Sequence, residues 1–162
     1  MRKQIAVLAS ALLLGGGVYA QNALQTQKPK AYMVSDAHLD TQWNWDIQTT
    51  IKDYVWNTIS QNLFLLKQYP EYIFNFEGGV KYAWMKEYYP AQYEEMKKFI
   101  ESGRWHISGA SWDATDTLVP SIESALRNIM LGQDYYRKEF GVESTDIFLP
   151  DCFGFGWTLP AI

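Results

Sequence analysis

The feature that most limits what this chain can fold into is its alternation of short apolar runs with longer stretches of helical spacing. Four runs have the length and composition of buried strands: Ala31-Tyr32-Met33-Val34, Tyr72-Ile73-Phe74-Asn75-Phe76, Trp105-His106-Ile107-Ser108-Gly109 and Asp146-Ile147-Phe148-Leu149-Pro150. Three predicted helices lie between them. Ile51 to Gln68 carries Ile51, Val55, Ile59, Leu63 and Leu66 on one face, with Pro70 beyond its end. Tyr93 to Glu101 is stopped by Ser102-Gly103. Ser121 to Glu139 has Ser121 and Ser124 as candidate caps and Gly141 as terminator. Parallel strands need crossovers, usually helical, so this order predicts an α/β chain built on a parallel sheet. Four strands are too few to close a barrel, and Thr158-Leu159-Pro160-Ala161-Ile162 reads as the start of another helix. The expectation is a partial (β/α) barrel of parallel strands and crossover helices, truncated at its C-terminus.

Residues 1–20 stand apart from that pattern. Arg2 and Lys3 precede an apolar run from Ile5 to Leu14, and Gly15-Gly16-Gly17 leads to Val18-Tyr19-Ala20. Those are the three regions of a secretory signal peptide with cleavage after Ala20. The run is too short to cross a hydrocarbon core of roughly 30 Å. The predicted organisation is a signal peptide (1–20), a polar N-terminal leader (21–30) and the α/β region (31–162), and the predicted location is periplasmic or extracellular. Cleavage removes Arg2 and Lys3 and no acid, which takes the net charge from −4 to −6. An acidic chain without a basic cluster argues against nucleic acid, or a membrane surface after cleavage, as partner. A single cysteine excludes an internal disulfide, so the fold must rest on its core. The 7 Trp, 11 Tyr and 8 Phe can furnish one, and exposed aromatics also stack on sugar rings.

In parallel α/β folds, reactive groups gather where strands end and loops begin. After the first predicted strand comes Asp36-Ala37-His38-Leu39-Asp40. His38 and Asp40 are two apart, so in extended backbone they project from one face, where an imidazole and a carboxylate suit a divalent metal. Such a triplet also arises by chance, as a surface histidine near an acid. The fourth predicted strand ends at Asp151, followed by Cys152-Phe153-Gly154-Phe155-Gly156, where glycines permit close approach. Asp151 reads equally as a helix cap. The third leads into Trp112-Asp113-Ala114-Thr115-Asp116. Acids or ligands at three successive strand ends exceed what capping requires.

Asp36-Ala37-His38-Leu39-Asp40-Thr41-Gln42-Trp43-Asn44-Trp45 resembles the N-terminal signature of glycoside hydrolase family 38, the retaining α-mannosidases. Ser102-Gly103-Arg104-Trp105 through Trp112, Asp116 and Glu123-Ser124 is similar to that family's second block, and Asp151-Cys152-Phe153-Gly154 to its D-x-F-G motif. The blocks keep the family's order. The resemblance implies a seven-stranded type of (β/α) barrel and one zinc ion held by His38, Asp40 and Asp151. It makes Asp151 the nucleophile, stacks Trp43 on the sugar and puts Asp116 close to the substrate, a terminal α-linked mannose of a glycan. It places a further zinc histidine and the acid/base carboxyl downstream of residue 162, so this chain alone is expected not to turn over substrate. His106 stands where an acid is usual and Ala110 where glycine is common; both lie away from the expected metal. Cys152 reads as a small, shielded thiol and His106 as structural.

Two other classes fit less well. A metal-dependent deacetylase on a related barrel needs an Asp-Asp pair and an H-x-x-x-H pair, and neither occurs. A carbohydrate-binding module using Trp43, Trp45, Trp112 and Trp157 as platforms is usually a β-sandwich, which the helical stretches contradict.

Overall fold

The computed structural model describes residues 29–157 and 159–161. The expected signal peptide, and the leader up to residue 28, lie outside them. From Val34 onward the chain forms one compact unit. Its sheet has three parallel strands in the order β1 (Ser35–Ala37), β2 (Phe74–Phe76), β3 (Trp105–Ile107). The expected parallel α/β arrangement is therefore present.

Alternation sorts the strand residues. Phe74, Phe76, Trp105 and Ile107 are buried against the helices, whereas Asp36, Asn75 and His106, level with one another across the sheet, lie on the other face. The helical layer is α1 (Trp56–Gln68), α2 (Gly79–Tyr88), α3 (Pro90–Glu101) and α4 (Ile122–Phe140). α1 is entered through an α turn, Ile47–Thr49, and a π-helical turn, Thr50–Val55. The Asp46 carboxylate caps that entry by accepting from Thr49 N–H at 2.8 Å. Val55, Ile59, Leu66, Tyr82, Met85 and Met96 fill the space between layers. Trp105 meets Phe74 edge-on at 4.8 Å, and its indole N–H donates to Tyr82 Oη at 2.9 Å. The largest core side chain thus has its polar atom satisfied.

Of the predicted α4 caps, Ser121 and Gly141 are observed and Ser124 is not. Ser121 Oγ accepts from Ser124 N–H, and Gly141 ends the helix at φ 66°. Two predicted strands are absent, and one helix was not predicted. Ala31–Val34 is not a strand: pairing begins at Ser35, opposite Phe74. In that register Ala31 would face Pro70, which has no N–H and lies inside a turn closed by Tyr72 N–H on Tyr69 O at 3.2 Å. Asp146–Pro150 is not a strand either. Phe148 lies against Gly109, but Gly109 N–H donates to the Asp146 carboxylate at 2.9 Å, so a side chain takes the place of a ladder carbonyl. α2 was not foreseen, because Gly78-Gly79 reads as a turn. Its first amides are satisfied from outside the helix: Gly79 N–H donates to Ser111 O and Val80 N–H to Trp112 O, at 3.2 and 2.8 Å. Leu159–Ala161 is a single 3-10 turn, and Thr158 and Ile162 lie outside the described residues.

Candidate metal centre

β1 ends at Ala37, and the next three residues keep its alternation. Leu39 turns inward and joins the core, leaving His38 and Asp40 on the opposite side. His38 Nε2 is 3.4 Å from Asp40 Oδ1 and 3.6 Å from Asp151 Oδ2. One ligand atom from each of the three residues lies within 4.8 Å of the others. Asp151 comes from the turn after the Asp146–Pro150 segment and is about half exposed, at 49%.

The donor set fits a divalent ion. Four ligands at 2.0–2.2 Å around zinc stand roughly 3.3–3.6 Å from one another in a tetrahedron, which matches the two distances from His38. Among the described residues, the ion-pair partner of Asp40 and of Asp151 is His38 alone. An imidazole lone pair and two carboxylates converging on one point repel unless a cation joins them.

Behind this cluster lies a group that the sequence analysis did not single out. Glu77 follows β2, and the β1–β2 register, Ala37 opposite Phe76, brings it level with His38. Glu77 Oε1 accepts from His38 Nδ1 at 3.0 Å, with the Glu77 side chain 5% exposed. Burial pushes the Glu77 carboxyl above its ordinary range, opposed in part by the His38 hydrogen bond and by the charge of Lys81. Lys81, wholly buried in the first turn of α2, donates to Asp113 Oδ1 at 3.0 Å. Asp113 also accepts from Thr41 Oγ1 at 2.7 Å, which ties down the residue after Asp40. The only signal that could have found Glu77 and Lys81 was an acid and a base flanking a glycine pair at a predicted strand end.

The loop carrying Asp113 is fastened to α4. Asn128 accepts from Trp112 N–H through its main-chain carbonyl and from Asp113 N–H through its side chain, both at 2.9 Å. Its amide donates to Asp113 O and Thr115 Oγ1, each at 2.9 Å. Trp43, in the loop that follows Asp40, is 69% exposed and meets Trp45 edge-on at 6.1 Å. Trp45 in turn donates to Thr50 Oγ1 at 2.8 Å, at the start of the π turn. Asp116 does not join the three-residue cluster. Its Oδ1 accepts from Leu118 N–H and Val119 N–H at 2.7 and 2.9 Å, and those bonds hold its carboxyl below the ordinary range. Cys152 is partly buried, and burial pushes its thiol up. His106 is exposed in β3, 3.9 Å from Asp146.

Fold and site together define a class: an α/β protein whose candidate chemistry lies just beyond the C-terminal ends of parallel strands. The chain belongs to glycosyl hydrolase family 38, since the model of that family's N-terminal domain matches residues 28–162. It is 32% identical over 144 residues to alpha-mannosidase G of Dictyostelium discoideum, covering 89% of this chain and 13% of that protein. It is 32% identical over 127 residues to human alpha-mannosidase 2C1, covering 77% of this chain and 12% of that protein. This chain thus spans about one eighth of the length of these relatives. An alpha-mannosidase from Enterococcus faecalis V583 superposes with a TM-score of 0.68 at 24% identity, over 79% of this chain and 14% of that one, a likeness of fold.

Proposed function

We propose that this chain supplies the metal-binding and nucleophilic part of a retaining α-mannosidase that releases terminal α-linked mannose from glycans. The observation that carries the reading is the convergence of His38, Asp40 and Asp151 in a member of family 38. The relatives named alpha-mannosidases supply the substrate class, and the fold likeness is consistent with a seven-stranded type of (β/α) barrel begun by β1, β2 and β3.

His38, Asp40 and Asp151 would hold one zinc ion. When bound there, zinc would supply positive charge beside the nucleophile and a Lewis-acid partner for sugar hydroxyls. Asp151 attacks the anomeric carbon with its carboxylate, and the bond to the leaving oxygen breaks as the glycosyl-enzyme ester forms. Retention needs a second carboxyl, which protonates the leaving oxygen and then takes a proton from the attacking water. Trp43, exposed three residues after Asp40, would offer its indole face to the sugar, and Asp116 would lie close to the substrate. Export through the signal peptide at residues 1–20 would place the enzyme in the periplasm or outside the cell. Among the described residues no helix is long and apolar enough to cross a membrane.

The test is hydrolysis of a chromogenic α-mannoside by the full-length gene product, with and without a chelator, beside Asp151→Asn. Loss of turnover in the variant, and on chelation with recovery on adding zinc, is expected. Activity that survives both changes refutes the proposal.

A further inference from the structure

We infer that Glu77 is a positioning residue for the metal site, holding His38 through Nδ1 so that Nε2 is the nitrogen presented to Asp40 and Asp151. The inference rests on the zinc-dependent reading above and assigns that site a partner outside the three ligands. A neutral imidazole ligates through its unprotonated nitrogen, and the hydrogen bond of the other nitrogen decides which one that is. Glu77 Oε1 lies 3.0 Å from Nδ1, and Nε2 lies 3.4 and 3.6 Å from the two aspartates. With Nδ1–H donated to a carboxylate, the lone pair must sit on Nε2. The same bond fixes the ring's rotation and makes Nε2 more basic, both of which favour a bound cation.

The surroundings shelter that bond. Because the Glu77 side chain is 5% exposed, little water competes for its bond to His38. Burial makes a carboxylate costly, and the charge of the buried Lys81 offsets part of that cost at Glu77 without reversing it. The turn between them makes the arrangement possible. Gly78 has φ 87°, and a Cβ there would stand 2.8 Å from Lys81 Nζ, so the ammonium folds back under a turn with no side chain. Lys81 also binds Asp113, which holds Thr41 beside Asp40. One charged scaffold on the β2–α2 connection therefore holds His38 directly and, through Asp113, Thr41 next to Asp40.

The experiment is zinc affinity of the full-length protein, measured by competition with a chromogenic chelator, for wild type, Glu77→Gln, Glu77→Ala and Asp151→Asn. The visible spectrum of the cobalt-substituted protein and the melting temperature are recorded beside it. Gln keeps an acceptor oxygen and the side-chain volume but loses the charge, so affinity falls about ten-fold. Ala loses both, so it falls about a hundred-fold with an altered cobalt spectrum, the range expected for outer-shell partners. Unchanged affinity and cobalt spectrum in Glu77→Ala, with Asp151→Asn impaired, overturn the role of Glu77 alone. A lower melting temperature with unchanged affinity makes Glu77 merely structural and overturns it too. Equal zinc binding by wild type and Asp151→Asn removes the zinc site itself, and the inference with it.

Discussion

Replacing Gly132 by alanine puts the close approach of α4 to the site loop under direct test. Alanine is the better helix former by about 1 kcal/mol, so local propensity alone forecasts a more stable protein. The packing forecasts the opposite. A Cβ at Gly132 would stand 2.6 Å from Trp112 N and closer still to Ala110 O and Ser111 C, all of them backbone atoms. No side-chain rotation can relieve that contact, so helix and loop must part by roughly 1 Å to restore van der Waals distance. Three bonds between Asn128 and residues 112–113, and the bond from Tyr136 Oη to Ser111 O at 3.1 Å, hold the two together. Each contributes about 1 kcal/mol net, and stretching them out of range costs on the order of 3–4 kcal/mol. Set against the gain in propensity, Gly132→Ala should destabilise by about 2–3 kcal/mol and lower the melting temperature by about 5–10 °C. The assay is thermal unfolding of wild type and variant, followed by tryptophan fluorescence. A variant that melts at or above the wild type would show that the loop yields without cost and that the reasoning is wrong.

Tyr82→Phe removes a hydroxyl that donates to Phe76 O at 2.9 Å and accepts from Trp105 Nε1. Phe76 O keeps Ser108 N–H at 3.1 Å, so the indole N–H is the group left without a partner, at a cost of about 1–3 kcal/mol by urea unfolding; a neutral outcome would mean water reaches Trp105. Lys86 holds the Glu139 carboxyl below its ordinary value of 4.5, chiefly through the 2.6 Å hydrogen bond. Because the folded-state pKa is depressed, this stabilisation is present above that value and lost as pH falls through the folded one. Lys86→Met should therefore cost under about 1 kcal/mol at neutral pH, Lys86 being half exposed, and progressively less as pH falls below 4.5. A melting-temperature gap that stays constant with pH would contradict the assignment.

Where an element's boundaries are written in its own residues, the sequence discloses them. The α4 stop signals are local, a serine hydroxyl at one end and a glycine able to take φ 66° at the other. Strands are different, because a strand exists only where a neighbour offers its backbone. Ala31–Val34 is more apolar than Ser35–Ala37, yet pairing follows Phe74–Phe76, whose own start is set by the turn after Tyr69. Asp146–Pro150 has strand composition but meets β3 through the Asp146 side chain. The site divides along the same line. His38 and Asp40 were legible because a two-residue period is local, and Leu39 pointing inward completes that pattern. Asp151 was legible as a polar residue after an apolar run, even though that run is not a strand. Glu77 was not, since its bond to His38 spans 39 residues and depends on strand register. A charged residue beside a predicted strand end therefore carries its meaning only once the neighbouring strand is in place. Here the neighbour turns Glu77, the acid that follows β2, into the group that orients the histidine.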